Sequence, residues 1–204
     1  MKQYVSNKPE TPRMFKSDFA EFFSRVHWTV PLWLFVPFVG YALYRPIYIA
    51  GLETLEIIGL VAAGIVTWTL TEYVMHRFVF HFKPKSEAMK RFFWTFHGVH
   101  HDYPSDPLRL VMVPAVSLPL AALFFFLFWL IFGSVLVWPF MAGFIAGYLF
   151  YDITHYAVHH FPIKGKIFGF LREHHMRHHF QQPDKGYGVS SPFWDTVFRT
   201  ELEK

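Results

Sequence analysis

The sequence predicts an all-α integral membrane protein, with four transmembrane helices and a cytoplasmic helical cap that holds a histidine-rich dimetal site. Three observations predict it. Apolar residues make up 53% of the 204, apolar runs recur at membrane length, and ten of the thirteen histidines fall into four spaced groups. With aromatics at 21%, the chain is richer in apolar side chains than a soluble domain needs. The excess has to be buried, and a bilayer can bury it.

Residues 1–27 read as a cytoplasmic arm. Within it Met14, Phe15, Phe19, Phe22, Phe23 and Val26 recur at helical spacing among Arg13, Lys16, Asp18, Glu21 and Arg25, the pattern of an amphipathic interfacial helix. A helix packed on the body of the protein would show the same pattern. The chain opens without the apolar core and small-residue cleavage site of a signal peptide, so the first span is expected to be retained. Residues 28–204 form the main domain, with spans at about 28–49, 57–75, 108–132 and 135–158, each near the roughly 20 residues that cross hydrocarbon. Segments 76–107 and 159–204 make the cap. Pro31, Pro37 and Pro46 interrupt the first span and Pro114 with Pro119 the third, so kinks are expected there.

Five Lys and Arg precede Trp28, six lie between His76 and Arg109, seven follow His159, and Arg45 stands apart. Cytoplasmic loops collect these residues, so both termini and the cap are expected in the cytoplasm. Either a bacterial inner membrane or the endoplasmic reticulum fits. The net charge of +4 clusters at membrane ends instead of forming a stripe, which favours lipid headgroups and excludes a nucleic-acid partner. With no cysteine, a metal has only imidazole and oxygen ligands.

His97, His100 and His101 in HGVHH stand at i, i+3 and i+4, and His175, His178 and His179 in HMRHH repeat the spacing. On helices each set would form one imidazole-bearing face. His155 and His159 lie one turn apart at the end of the fourth span. His76 and His81 are about 140° apart on an ideal helix, so they are expected to flank the end of the second span, one of them outside the helix. Ten ligands exceed one ion's needs and suggest two ions with about five each.

Ligating imidazoles generally donate their other ring nitrogen to a carboxylate or carbonyl. Glu72, Asp152 and Asp102 stand close enough in sequence to receive one, though capping and turn roles fit them too. His160 and His174 adjoin the clusters as further outer partners, while His27 reads as a bystander. Trp94, Tyr103, Tyr156, Tyr187 and Trp194 are candidates to line a lipid path, with packing or interface anchoring as their ordinary alternative.

The blocks EYVMHRFVFHFKPKS, HGVHHDYPSDPLRLVMVP, YDITHYAVHH and REHHMRHHFQQPDKGYGVSSPFWDTVFRT, in that order over roughly 68–200, resemble the membrane fatty acid hydroxylase superfamily, and within it the fatty acid 2-hydroxylases of sphingolipid acyl chains. The resemblance implies metal ligation by His76, His81, His97, His100, His101, His155, His159, His175, His178 and His179. It implies two iron ions, O2 as co-substrate and hydroxylation at C2 of a fatty acyl chain, free or in a ceramide; zinc can replace iron in recombinant protein. Relatives often carry a cytochrome b5 domain. This chain has a short arm without its HPGG haem signature, so a separate donor, cytochrome b5-like or ferredoxin-like, is expected to supply electrons.

Three other readings compete. A sterol or carotenoid hydroxylase or desaturase would share the histidines. A divalent metal transporter would place histidines along an ion pathway, but here they gather at one face, and the first and third spans carry no acidic residue. A metal-stabilised scaffold would bind without turnover.

Overall fold

A computed structural model describes residues 4–203. The first three residues of the expected arm and the last of the cap lie outside that range. Eight α-helical segments account for the architecture: α1 Asp18–Phe23, α2 Val30–Tyr44, α3 Thr54–Val74, α4 Glu87–Phe93, α5 Val99–Asp102, α6 Pro114–His160, α7 Phe168–Phe180 and α8 Phe193–Val197. Four of them continue into or from three π-helical turns, Arg45–Ile49 after α2, Met75–Phe80 after α3 and Trp94–Gly98 between α4 and α5.

Among the described residues, three helices are long and apolar enough to cross a membrane, Val30–Ile49, Thr54–Phe80 and Pro114–His160. The third holds what the sequence divides into two spans. Gly133, at φ 71° and ψ −173°, breaks it. Ring centroids of Phe132 and Phe140 lie 4.5 Å apart and those of Phe124 and Phe144 5.0 Å apart. Residues twenty apart on one straight helix would be separated by about 30 Å. The chain therefore doubles back at Gly133, where the absence of a Cβ permits the positive φ.

Two of the five prolines depart from the expectation. Pro31 and Pro114 stand in the first turns of α2 and α6, where a missing N–H leaves nothing unpaired, so they start helices instead of interrupting them. Pro37 and Pro119 do lie inside helices, and Pro46 sits in a π-helical turn.

The chain forms two compact units. One comprises residues 29–69 and 112–150, with Phe35, Val137, Phe140, Phe144 and Tyr148 at its centre. Gly64 and Gly143 let backbones touch within it: a Cβ on Gly64 would lie 2.1 Å from the Phe140 carbonyl oxygen, and one on Gly143 2.0 Å from that of Val61. Small residues serve membrane helices this way.

The other unit comprises 1–28, 70–111 and 151–204 and contains every clustered histidine. The arm is stitched to it. Val26 N–H donates to the Leu108 carbonyl at 2.8 Å, and Thr11 Oγ1 to Asp106 at 2.6 Å. Helix α1 is shorter than the expected amphipathic helix, because the Glu21 carboxylate accepts the backbone N–H groups of Met14 and Phe15 and holds them in a loop. Glu21 is buried against Arg109, while Phe19, Phe22 and Phe23 face outward.

Candidate metal centre

Ten imidazoles from four segments converge into two adjoining groups. The Nε2 atoms are 2.9 Å apart for His155 and His100 and for His175 and His159, and 3.0 Å for His179 and His175. In the second group they are 3.2 Å apart for His76 and His81, 3.1 Å for His97 and His101, and 3.2 Å for His81 and His178. His100, His155, His159, His175 and His179 present one donor each within 4.8 Å of one another, as do His76, His81, His97 and His101. His178 completes the second group through its contact with His81. Ring centroids of His101 and His179, 4.1 Å apart, join the groups.

Two details refine the expectation from spacing. His81 does fall just outside the helix, but the π-helical turn, closed by the His81 N–H to His76 carbonyl bond at 3.1 Å, returns its ring to His76. A wider turn brings i and i+5 together where an ideal helix would part them. The face that HGVHH presents is also shared between the two groups. His97 and His101 join His76, while His100 joins His155, and HMRHH divides in the same manner, with His175 and His179 in one group and His178 in the other. Each motif gives its i, i+4 pair to one group and its i+3 histidine to the neighbour.

Backbone carbonyls fix two tautomers. His76 Nδ1–H donates to the Tyr187 carbonyl at 2.5 Å and His178 Nδ1–H to that of Lys185 at 2.7 Å. A neutral imidazole has one proton, so both Nε2 atoms are bare lone pairs, and both face His81 Nε2. His81 can offer at most one proton. At least one pair of lone pairs is left opposed, an arrangement a cation resolves. Burial pushes the imidazoles of His97, His100, His101, His175 and His179 well below the ordinary histidine range, with neighbouring histidines adding to it. Burial likewise lowers His178 to about 4 and His81 to about 2. All are neutral at pH 7, the form that ligates.

The donor set fits transition-metal ions. Ligands at right angles with bonds of about 2.1 Å stand about 3.0 Å apart, against about 3.4 Å for a tetrahedral set. The observed 2.9 to 3.2 Å spacings match the former. Among the described residues, Nδ1 of His155, His175 and His179 is buried without a hydrogen-bond partner.

The expected outer partners make contacts of their own. Glu72 accepts the backbone N–H groups of Val189 at 2.7 Å and Ser190 at 2.9 Å, and the Ser190 hydroxyl. Asp102 accepts Trp94 Nε1–H at 2.7 Å. Asp152 is buried. His160 stacks on Tyr156 at 4.3 Å, and His174 Nε2 lies 3.9 Å from Asp195. Of the aromatic candidates, Tyr187 sits against His76, His81 and His178, with centroids 5.4 to 5.7 Å away. Tyr156 also stacks on Trp28, Trp194 stacks on Phe198, and Tyr103 is half-buried.

Sequence reading missed Asp195. Fully buried, it accepts Tyr187 N–H at 2.9 Å, Gly188 N–H at 2.8 Å and the Thr200 hydroxyl at 2.8 Å, so it shapes the loop whose carbonyls orient His76 and His178. A lone acid between Trp194 and Val197 was the available signal. Tyr73, bonded to Thr200 at 2.9 Å, gave none.

The fatty acid hydroxylase family model matches residues 61–200. The chain is 42% identical over 193 residues to the dihydroceramide fatty acyl 2-hydroxylase FAH2 of Arabidopsis thaliana, covering 94% of this chain and 80% of that protein. It is 35% identical to the fatty acid 2-hydroxylase of Rattus norvegicus, over 92% of this chain and 56% of the relative. A solved structure of full-length scs7p, with only its hydroxylase domain visible, matches with a TM-score of 0.85 and 33% identity over 91% of this chain and 70% of that one. With the family model and these relatives spanning all ten clustered histidines, the chain belongs to the fatty acid hydroxylase family.

Proposed function

We propose that the chain is a membrane-bound fatty acyl 2-hydroxylase that uses two iron ions, O2 and electrons from a separate protein. The observation that carries this reading is the pair of imidazole groups, neutral and converging by Nε2, in a chain of this family with membrane-length helices. His76, His81, His97, His101 and His178 hold one ion, and His100, His155, His159, His175 and His179 the other. The substrate is a fatty acyl chain, free or in a ceramide, the class named for the plant relatives.

Oxidising an unactivated C–H bond is beyond side-chain acid–base chemistry, and the bound metal pair supplies the redox chemistry for it. In balance, one oxygen atom enters the C2–H bond and the other leaves as water, with two electrons and two protons from outside. The residues of this chain set the conditions. Burial keeps imidazoles unprotonated, Lys185 and Tyr187 carbonyls fix two tautomers, and Tyr187 walls one group with an aromatic ring. The reversal at Gly133 supports four crossings. The distribution of Lys and Arg supports both termini and the site on the cytoplasmic side.

Lipid mass spectrometry of a host without 2-hydroxylated lipids, expressing the chain or its His100→Ala variant, tests the reading. One added oxygen at C2 of acyl chains, absent with the variant, is the expected result. A hydroxylated sterol or carotenoid, or no oxidised lipid with iron and donor present, overturns it.

A further inference from the structure

Residues 87–102 run as one continuous helical stretch through α4, the π-helical turn and α5, and its two ends differ. The C-terminal end carries buried His97 and His100 toward the imidazole groups. The N-terminal end, residues 87–92, is exposed and carries an apolar stripe. Met89, Phe92 and Phe96 follow one another at helical spacing and are 46%, 56% and 43% exposed. Phe92 and Phe96 rings lie 4.7 Å apart, Phe92 and Phe93 5.4 Å, and Phe93 and Phe82 5.1 Å, so the rings form one patch. A contiguous exposed aromatic patch of this kind marks an interaction surface.

Charge identifies the partner. Residues 82–92 carry Lys83, Lys85, Lys90 and Arg91; Lys83 pairs with Asp184 and Lys90 with Glu87, which leaves a surplus of two cations beside the rings. Aromatic side chains beside a surplus of Lys and Arg suit the boundary between acyl chains and anionic headgroups. Chain continuity points the same way. The long apolar helix ends at Phe80, and the seven steps from there to Glu87 reach at most about 24 Å. We propose that the Met89–Phe92–Phe96 face is seated in the headgroup region of the bilayer that the chain itself spans, with the rings toward acyl chains and the cations on anionic lipid. The membrane surface then supports the helix that delivers three of the ten imidazoles, and the site is held at the depth where an acyl chain emerges from a headgroup. This rests on the reading of Thr54–Phe80 as a membrane span.

The chain has no cysteine, so a single introduced thiol can be spin-labelled without other changes. Phe92→Cys, Phe96→Cys, Glu87→Cys and Val66→Cys are each made in the full chain, labelled, and reconstituted into protein-free lipid vesicles with or without phosphatidylglycerol. Accessibility to O2 is compared with accessibility to a water-soluble nickel chelate by electron paramagnetic resonance. Labels at 92 and 96 are expected to favour O2 and the label at 87 the chelate. Adding Lys90→Gln with Arg91→Gln should shift 92 and 96 toward the chelate in phosphatidylglycerol vesicles and leave neutral vesicles unchanged. Because 92 and 96 are both exposed, failure of one variant to fold leaves the other to decide. Labels at 92 and 96 as chelate-accessible as 87, with 66 protected, overturn the docking and leave the span standing, the result expected if a protein covers the patch. Loss of protection on diluting the protein in lipid overturns it in favour of a second copy. Chelate access at 66 overturns the span as well.

Discussion

Glu72 and Val189 are joined at 2.7 Å, the buried carboxylate accepting the backbone N–H. Glu72 precedes His76 by one helical turn, and Val189 follows by two residues the carbonyl of Tyr187 that receives the His76 proton. Helix and loop thus form a closed circuit. The carboxylate fixes the loop, and the loop fixes the tautomer of the imidazole on the same helix.

Breaking that circuit should show in metal affinity before it shows in the fold. Glu72→Gln keeps the size but turns an amide nitrogen toward donors, and loosening the loop that orients His76 should lower metal affinity by about 10-fold, the low end of the range for loss of a direct ligand partner. The loss should fall on the ion of the His76 group and spare the other. Metal titration of the apoprotein checks this, and an unchanged affinity at both equivalents refutes it. Asp195→Asn, acting on the same loop from its other end, should do likewise.

The division of HGVHH between the groups makes a second prediction. His97→Ala and His101→Ala should each remove one metal equivalent, and the double variant should remove no more than either alone. Combining His97→Ala with His100→Ala should remove both equivalents. Metal content of the purified variants decides, and equal losses in the two double variants would return all three histidines to one ion. His27→Ala should leave both ions bound.

Much of this was legible in the sequence because spacing maps directly onto helices. His155 and His159 end α6 one turn apart, as their spacing requires, and the long apolar runs are helices with ends displaced by a few residues. What spacing could not carry was any departure from the ideal turn. The π-helical turn at Met75–Phe80 reunites His76 with His81, and nothing in a five-residue interval announces it. Long-range partners were also hidden, since Glu72 meets Val189 across 117 positions and Glu21 meets Arg109 across 88. Helical arithmetic near Glu72 pointed to His76, whereas the fold gave the carboxylate to a loop.

The arm supplies a pH prediction. Burial raises the Glu21 carboxyl, but the N–H groups of Phe15 and Met14, the hydrogen bond from Arg25 and the charge of Arg109 outweigh it and hold the group down at about 2. A carboxyl lower in the folded state than its ordinary 4.5 contributes stability that is present above about 4.5 and lost as pH falls toward 2. Glu21→Ala leaves the buried Arg109 guanidinium with Asp106, 3.4 Å away, as its remaining carboxylate, and should cost about 1–3 kcal/mol at pH 7. The gap between wild type and variant should narrow on acidification. Thermal unfolding in detergent at pH 7 and pH 3 measures it, and a gap independent of pH would mean that the ion pair contributes nothing.

Helix contact within the 29–69 and 112–150 unit gives the last test, because three glycines on apolar helices differ only in what surrounds them. Gly143 and Gly64 have no room for a methyl group, since the atoms it would strike are the backbone carbonyl oxygens of Val61 and Phe140. Backbone cannot rotate aside as a side chain can, so Gly143→Ala and Gly64→Ala must push the two helices apart, at a cost of about 1–3 kcal/mol or more. Gly40 on α2 meets nothing within 4 Å. There the same substitution removes only backbone freedom and should be neutral or stabilising by up to about 1 kcal/mol. Unfolding temperatures of the three variants in one detergent separate the cases. If Gly40→Ala proves as damaging as Gly143→Ala, the close approach of α3 and α6 is not what the glycines at 64 and 143 provide.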